Sequence, residues 1–411
     1  MDGYEWTVYT TWQLSFERLR THSAPAATFL QHCAFLHYDG IFQEIFQKAA
    51  VVIEWSFPDH EPDSVSDAKD FLGLFITSGA WDTRKFLNII SEIRSYSLID
   101  FDDKANLYSI HPLVHDWIRA TMSYGDATRA SAQCMLGMSV IWNLGSESYS
   151  FRRALLPHID AALQGGIATG SHLTASLGYI YHEGGRWKEA AKLEALVMET
   201  RKQVLGEEHP DLLGSMGNLA ISYGKQGRWK EAEELEELVM EKMKRVLGEE
   251  HPHSLMSMSN LASTYSKQGR WKEAEELGVQ VMETRKRLLG EEHPDSLMSM
   301  GNLASTYWDQ GRWKEAEELE VEVMETRKRV LGEEHPDSLR SMANLASTYW
   351  NQGRLKEAEE LDVLMMETRK RVLGEEHPHS LTAMNNLALT YCEQGRWKEA
   401  EELEVDRKSV V

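Results

Sequence analysis

A six-residue string, Gly-Arg-Trp-Lys-Glu-Ala, stands at 185–190, 227–232, 269–274, 311–316 and 395–400, with Leu for Trp at 353–358, so each step is 42 residues. His-Pro keeps the same beat, at His209, His251, His293, His335 and His377. A chain of 411 residues that spends 171–405 on copies of one unit is committed to a repeat architecture, in which each unit buries its apolar face on its neighbours. Stacked copies build an extended surface more readily than an enclosed catalytic pocket.

The unit 293–334 reads as an antiparallel helical hairpin. Pro294 fits a helix start, and Asp295 or Ser296 is expected to cap the free amides there. Leu297, Met300, Leu303, Ala304 and Tyr307 then form one apolar stripe at helical spacing, and Gly311 ends the helix. Trp313, Ala316, Leu319, Val323, Met324 and Val330 make the stripe of a second helix, closed by Gly332. Glu325 and Arg329 stand at i,i+4 in the favourable order for an ion pair. Trp of the repeated string opens this second helix and is expected to pack between hairpins, since Leu355 replaces it without polar character.

Asn302-Leu303-Ala304-x-x-Tyr307, followed by Gly311 and Ala316, resembles the tetratricopeptide repeat, in the long variant of kinesin light chains and many bacterial and fungal proteins. The resemblance implies a mostly α fold, a tetratricopeptide α-solenoid over 171–405 of about six units. One position departs from it. An aromatic is common four residues after the second helix's Ala, but here Glu236, Gly278, Glu320 and Asp362 occupy that place. The first unit, 171–208, has a degenerate first helix, and the last stops within its second; an uncapped end of this kind predicts fraying or self-association.

In such superhelices the stripe holding 298, 301, 302, 305, 308 and 309 faces the concave groove. Copies differ there, at Met298/Arg340, Gly301/Ala343, Asp309/Asn351, Ser266/Trp308 and Lys267/Asp309, whereas Glu315–Glu318 and Gly332–His335 stay constant. The groove is therefore the expected ligand-facing surface. One groove position is invariant: Asn218, Asn260, Asn302, Asn344 and Asn386. A carboxamide carries donor and acceptor, so this ladder suits the backbone of an extended peptide or, equally, a bond to a neighbouring helix. Trp308 and Trp350, with Arg340 beside them, supply large amphipathic anchors.

Residues 1–122 lack the period. Phe86–Tyr96 has helical spacing, Leu98–Phe101 and Leu107–Ile110 read as strands around a turn, and Val114–Ile118 starts another helix. Tyr108-Ser-Ile-His-Pro-Leu-Val-His-Asp-Trp-Ile-Arg119 is similar to the end of the winged-helix part of NB-ARC signalling ATPases, of which fungal members carry tetratricopeptide arrays. That resemblance implies a helical segment at 1–64, a winged-helix-like domain at 65–122 and a helical spacer at 123–170. It also makes His115 and Asp116 a vestigial nucleotide-sensing pair. No Gly-x-x-x-x-Gly-Lys-Ser/Thr occurs in the sequence, so this chain, a fragment or degenerate member in that reading, is expected not to hold ATP by itself.

The formal net charge of −21 speaks against nucleic acid and anionic membrane as partners. Cys33, Cys134 and Cys392 lie too far apart in sequence for a knuckle or framework, and with no apolar run long enough for a span the chain reads as cytoplasmic. The Glu-Glu-His-Pro loops supply one His each, which is no metal site, and no catalytic constellation or cofactor is expected. The sequence predicts a non-catalytic scaffold or sensor that takes a protein or peptide in its groove, part of an NLR-like signalling protein. A cargo adaptor of the kinesin-light-chain kind is the alternative, without the heptad coiled coil expected ahead of such an array.

Overall fold

A computed structural model describes residues 3–52, 63–122, 125–140, 146–375 and 377–409. The chain forms two compact units, Met1–Gly227 and Arg228–Val411. The first unit holds α1 (Gly3–His22), α2 (Ala24–Cys33), α3 (Gln43–Val51), α4 (Asp63–Gly73), the hairpin β1 (Ile76–Thr77) and β2 (Ala80–Trp81), and α5 (Thr83–Ser95). A second hairpin, β3 (Asp100–Asp102) and β4 (Leu107–Ser109), leads into α6 (Pro112–Thr121), α7 (Gly125–Ser139) and α8 (Ser146–Leu163). Then come α9 (Ser171–Glu183), α10 (Trp187–Leu205) and α11 (Pro210–Lys225). The second unit holds α12 (Trp229–Leu247), α13 (Pro252–Lys267), α14 (Trp271–Leu289), α15 (Pro294–Asp309), α16 (Trp313–Leu331), α17 (Pro336–Asn351), α18 (Leu355–Leu373), α19 (Pro378–Glu393) and α20 (Trp397–Ser409).

In the first unit one hydrophobic core runs from Phe16 to Leu193. Its centre is aromatic: Phe29 meets Phe46, Phe75 and Phe86 at ring separations of 5.0, 6.0 and 5.7 Å. The order helix, hairpin, helix expected between 86 and 118 is present as α5, β3, β4 and α6. The first strand starts later than the apolar run suggested. Leu98 and Ile99 are buried ahead of it, because core burial, not strand pairing, is what their side chains serve. The hairpin of β1 and β2 carries too short an apolar signal to be read from sequence.

The hairpins from α11 onward are built the same way, and α15 with α16 shows how. Leu297, Met300, Leu303 and Ala304 are buried, as is Ala316 on the second helix. The α15 cap differs from the expected one. The imidazole of His293 accepts from the Asp295 amide at 3.1 Å, and the Ser296 hydroxyl is buried without a partner. The same histidine cap opens α11, α13, α17 and α19, which explains why His precedes every one of these prolines. Gly311 ends α15 with φ of 74°, and Gly332 ends α16 with φ of 93°, conformations that favour glycine.

The repeated string works mainly through its arginine. Arg312 stacks over Tyr307 at 4.3 Å, pairs with Glu315 of its own string at 2.9 Å and reaches Glu275 of the preceding hairpin at 2.8 Å. Arg354 repeats this with Tyr349 and Glu317, and Arg396 with Tyr391 and Glu359. Gln352 and Gln394 donate to the main-chain carbonyls of Trp313 and Leu355 at 3.0 and 3.1 Å. The contact uses backbone, so Leu355 serves as well as Trp. Three of the indoles, Trp271, Trp313 and Trp397, are exposed and not packed between hairpins as expected, whereas Trp187 and Trp229 are half-buried. Nor does Arg329 pair with Glu325; its guanidinium lies 2.8 Å from Glu292 in the preceding loop. Arg371 likewise reaches Glu334 at 2.6 Å. Constant segments on the surface are thus pinned by contacts between hairpins.

Candidate functional site: the face of the first helices

The five invariant asparagines sit on the first helices of their hairpins, exposed or half-buried. Among the described residues their carboxamides take no hydrogen bond, so the bond to a neighbouring helix is not made. Three cavities open beside them. In the first unit, Asn218 lines about 160 Å³ together with Tyr179, His182 and Glu194. In the second unit, Asn260 and Asn302 line about 210 Å³ with Lys267, Gly278 and Asp309. Also in the second unit, Asn386 lines about 230 Å³ with Trp308, Trp350 and Asp362. Asn344 is exposed on the same stripe and lines none of the three.

Trp308 and Trp350, which sequence placed in the groove, are brought together in the third cavity, 37% and 38% exposed. Arg340 is not part of it; its guanidinium pairs with Asp337 one turn away at 2.8 Å. Some positions that vary between copies complement one another. Lys267 pairs with Asp309 at 3.1 Å, and Ser266 donates to the same carboxylate at 2.9 Å.

The position that departs from the usual aromatic supplies cavity floors. Glu194, Glu236, Glu320 and Asp362 are all buried. Burial pushes Glu194, Glu236 and Glu320 up to about 7, against the hydroxyls of Ser222, Thr264 and Thr348 that oppose them, and Asp362 up to about 6. One oxygen of each of the three glutamates has no hydrogen-bond partner. Where Gly278 replaces the acid there is no side chain at all, and a Cβ there would meet Leu303 at 3.2 Å. Sequence reasoning noticed this column only as a departure; alternation of acid with Ser or Thr 28 residues on (Glu236 with Thr264, Glu320 with Thr348) was the signal that could have marked it.

His115 and Asp116 lie in the first unit. The buried His115 ring has Nε2 2.9 Å from the Leu36 carbonyl oxygen, to which it donates, and Nδ1 3.4 Å from the Asp116 carboxylate. The imidazole is thus engaged with the backbone that follows α2. His32 and His158 are also buried and held neutral, burial pulling each down to about 4. Among the described residues no three His, Cys, Asp or Glu side chains gather as a metal site, and no helix is long and apolar enough to cross a membrane.

Consecutive helical hairpins, stacked through recurring arginine contacts and buried alanines, make this an α-solenoid repeat protein. Two tetratricopeptide-repeat family models match it, one at 237–287, 254–329 and 364–405, the other at 174–211, 212–253 and 338–379. Together they take in more than half of the sequence, and the chain belongs to the tetratricopeptide-repeat family. No curated protein matches. Among solved structures, the nearly identical TPR-like repeats of a Podosopora anserina protein assigned as a kinesin light chain are 36% identical, cover 50% of this chain and 96% of that one, and give a TM-score of 0.45. BtubC (BKLC) from P. vanneervenii is 18% identical over 59% of this chain and 91% of its own, with a TM-score of 0.44. NprR, solved in complex with its cognate peptide NprX, is 12% identical over 85% and 90%, with a TM-score of 0.45.

Proposed function

We propose that the chain is a non-catalytic interaction scaffold that binds an extended peptide segment of a protein partner along the face of its first helices. The observation that carries this reading is the asparagine column: four of its five members line cavities, and none spends its carboxamide inside the fold. Each carboxamide offers a donor and an acceptor with no partner of its own, which suits the N–H and C=O groups of a peptide main chain. Trp308 and Trp350 add exposed aromatic area of the type that dominates binding energies. We read 65–122 as a winged-helix-like domain and 1–64 as the helical segment before it, both related to NB-ARC signalling ATPases, a reading supported by Val114-His115-Asp116 in α6 and by the helix, hairpin, helix order that leads to it.

Peptides selected from a random display library against the full chain test the reading. Titrated by calorimetry, a selected peptide should bind the Trp308→Ala/Trp350→Ala double variant more weakly by about 2 kcal/mol or more. An unchanged affinity, with helix content preserved by circular dichroism, sinks the assignment of the site. Micromolar ADP or ATP affinity of the purified chain would count against the scaffold-only reading.

A further inference from the structure

The cavity under Trp308 and Trp350 shows which kind of side chain it takes. The chain itself supplies the pattern. In four hairpins a tyrosine ring, a guanidinium stacked on it and a carboxylate from the preceding hairpin recur: Tyr265 with Arg270 and Glu233, Tyr307 with Arg312 and Glu275, Tyr349 with Arg354 and Glu317, Tyr391 with Arg396 and Glu359. The cavity has the aromatic and acidic members of this set and lacks the cation. Trp308 and Trp350 expose their rings, and among the described residues no guanidinium or ammonium stands over either. No lysine or arginine lines the space. Its floor is Asp362, 4% exposed, whose Oδ2 accepts from the Thr390 hydroxyl at 2.9 Å and whose Oδ1 has no partner among the described residues.

The column explains why the opening is here. Aspartate is one methylene shorter than the glutamates at 194, 236 and 320, so its carboxyl is recessed and leaves about 230 Å³ above it. Tryptophan occupies the 308 position of its unit and the 350 position of the next, where the equivalent residues of the other units are His182, Gly224, Ser266 and Cys392. Two rings and the recessed acid therefore coincide once in the array. The neighbouring cavity differs: Gly278 leaves no acid at its column position, and the cation that lines it, Lys267, pairs with Asp309 at 3.1 Å.

Resting on the peptide-binding reading, we infer that this cavity receives an arginine side chain of the bound peptide, its guanidinium stacked on the indoles and hydrogen-bonded to Asp362. A planar cation over an indole face is attracted by the ring quadrupole, and the attraction grows as water is excluded. The guanidinium also presents several donors in a plane, which suits a free carboxylate oxygen flanked by Asn386 better than a spherical ammonium does.

The probes are acetyl-Gly-Arg-Gly-amide and its citrulline counterpart, which has nearly the same shape and no charge. Both are titrated at pH 7.5 into the full chain labelled with 5-fluorotryptophan, with the two resonances assigned through Trp308→Phe and Trp350→Phe. The arginine peptide should shift both resonances at a concentration at least tenfold below that needed for citrulline. Asp362→Asn should abolish that preference, and Trp350→Leu, a change on an exposed ring, should weaken the arginine peptide at least fivefold. Equal binding of the two peptides, or an arginine preference that survives Asp362→Asn, overturns the inference. Library-selected peptides that depend on Trp308 and Trp350 but carry no arginine and ignore Asp362→Asn overturn it too, while leaving the peptide-binding reading intact.

Discussion

Glu236 and Glu320 give the fold a stability that should fall as pH rises through neutrality. Each is almost fully buried, 4% and 6% exposed, each has an oxygen without a partner, and burial pushes each up to about 7 from an ordinary 4.5. The folded state therefore holds a proton that the unfolded chain releases. The stabilisation this represents is fully present below about pH 4.5, where both states are protonated. It is lost progressively up to about pH 7 and is constant above. Between pH 6 and 8.5 linkage gives a loss of about 1.4 kcal/mol for each carboxyl. That window stays clear of the isoelectric point near 5.2, where association would interfere. It also lies above the range in which surface carboxylates matter. Glu315 and Glu357, held down by hydrogen bonds from Arg312 and Arg354, lose their contribution only as pH falls below the ordinary carboxylate value. The perturbation is Glu236→Gln/Glu320→Gln in the full chain. Repeat arrays unfold in parts, so the assay is hydrogen exchange with mass spectrometry on peptides from α12, α13, α16 and α17. A fixed cost of fitting an amide cancels when the variant is compared with itself at the two pH values. Relative to the parent, the variant should gain about 1.4 kcal/mol per site on going from pH 6 to 8.5. A difference between the two proteins that does not change with pH refutes the claim that these carboxyls are protonated in the fold.

Three other substitutions test the frame. His293→Ala removes the imidazole that accepts from the Asp295 amide and should cost about 1 kcal/mol, read as faster exchange in the first turn of α15. Gly311→Ala places a Cβ at φ of 74° and should cost about 1 kcal/mol in chemical denaturation although nothing stands within 4 Å of it. Leu355→Trp restores the common string, and should change stability by less than about 0.5 kcal/mol, because Gln394 bonds the main-chain carbonyl whichever side chain is present.

The hairpins were legible because a 42-residue beat turns one unit's apolar spacing into several independent readings of the same helix. Leu297, Met300 and Leu303 had to be buried wherever the stacking neighbour lay. What stayed illegible depended on partners far along the chain. Arg329 had a good neighbour four residues away, yet it reaches back 37 residues to Glu292, and no local rule distinguishes the two. The cap went to the residue before proline because imidazole Nδ1 can reach the amide two residues on; sequence pattern favours Asp and Ser for that role. The acid column looked like a missing aromatic. Its character as a set of buried carboxyls follows only from the placement of Thr264, Thr348 and Thr390 across the helix interface. The groove stripe itself was legible as a pattern, with Asn, Trp308 and Trp350 on one side of each first helix, but its cavities were not.

Contacts between hairpins also change what sameness among the copies means. Glu315–Glu318 recurs unchanged in every unit but the first, and Gly332–His335 recurs unchanged at each 42-residue step, although their acidic side chains lie toward solvent. Within them Glu315 pairs with Arg312, Glu317 is held by Gln352 and Arg354 of the next hairpin, and Glu334 by Arg371, so the frame accounts for these three acids. Some of the divergence is internal as well, since Lys267 and Asp309 vary as a matched pair. Once those positions are assigned to the frame, two features remain without a structural employer. One is the asparagine column, constant and unbonded. The other is the pair of tryptophans over Asp362, exposed and lacking the cation that every comparable tyrosine in the second unit's hairpins has. Packing explains neither a carboxamide that is kept without a hydrogen bond in the fold nor an aromatic surface left uncovered. The proposed peptide accounts for both: its main chain would satisfy the first and its side chain would cover the second.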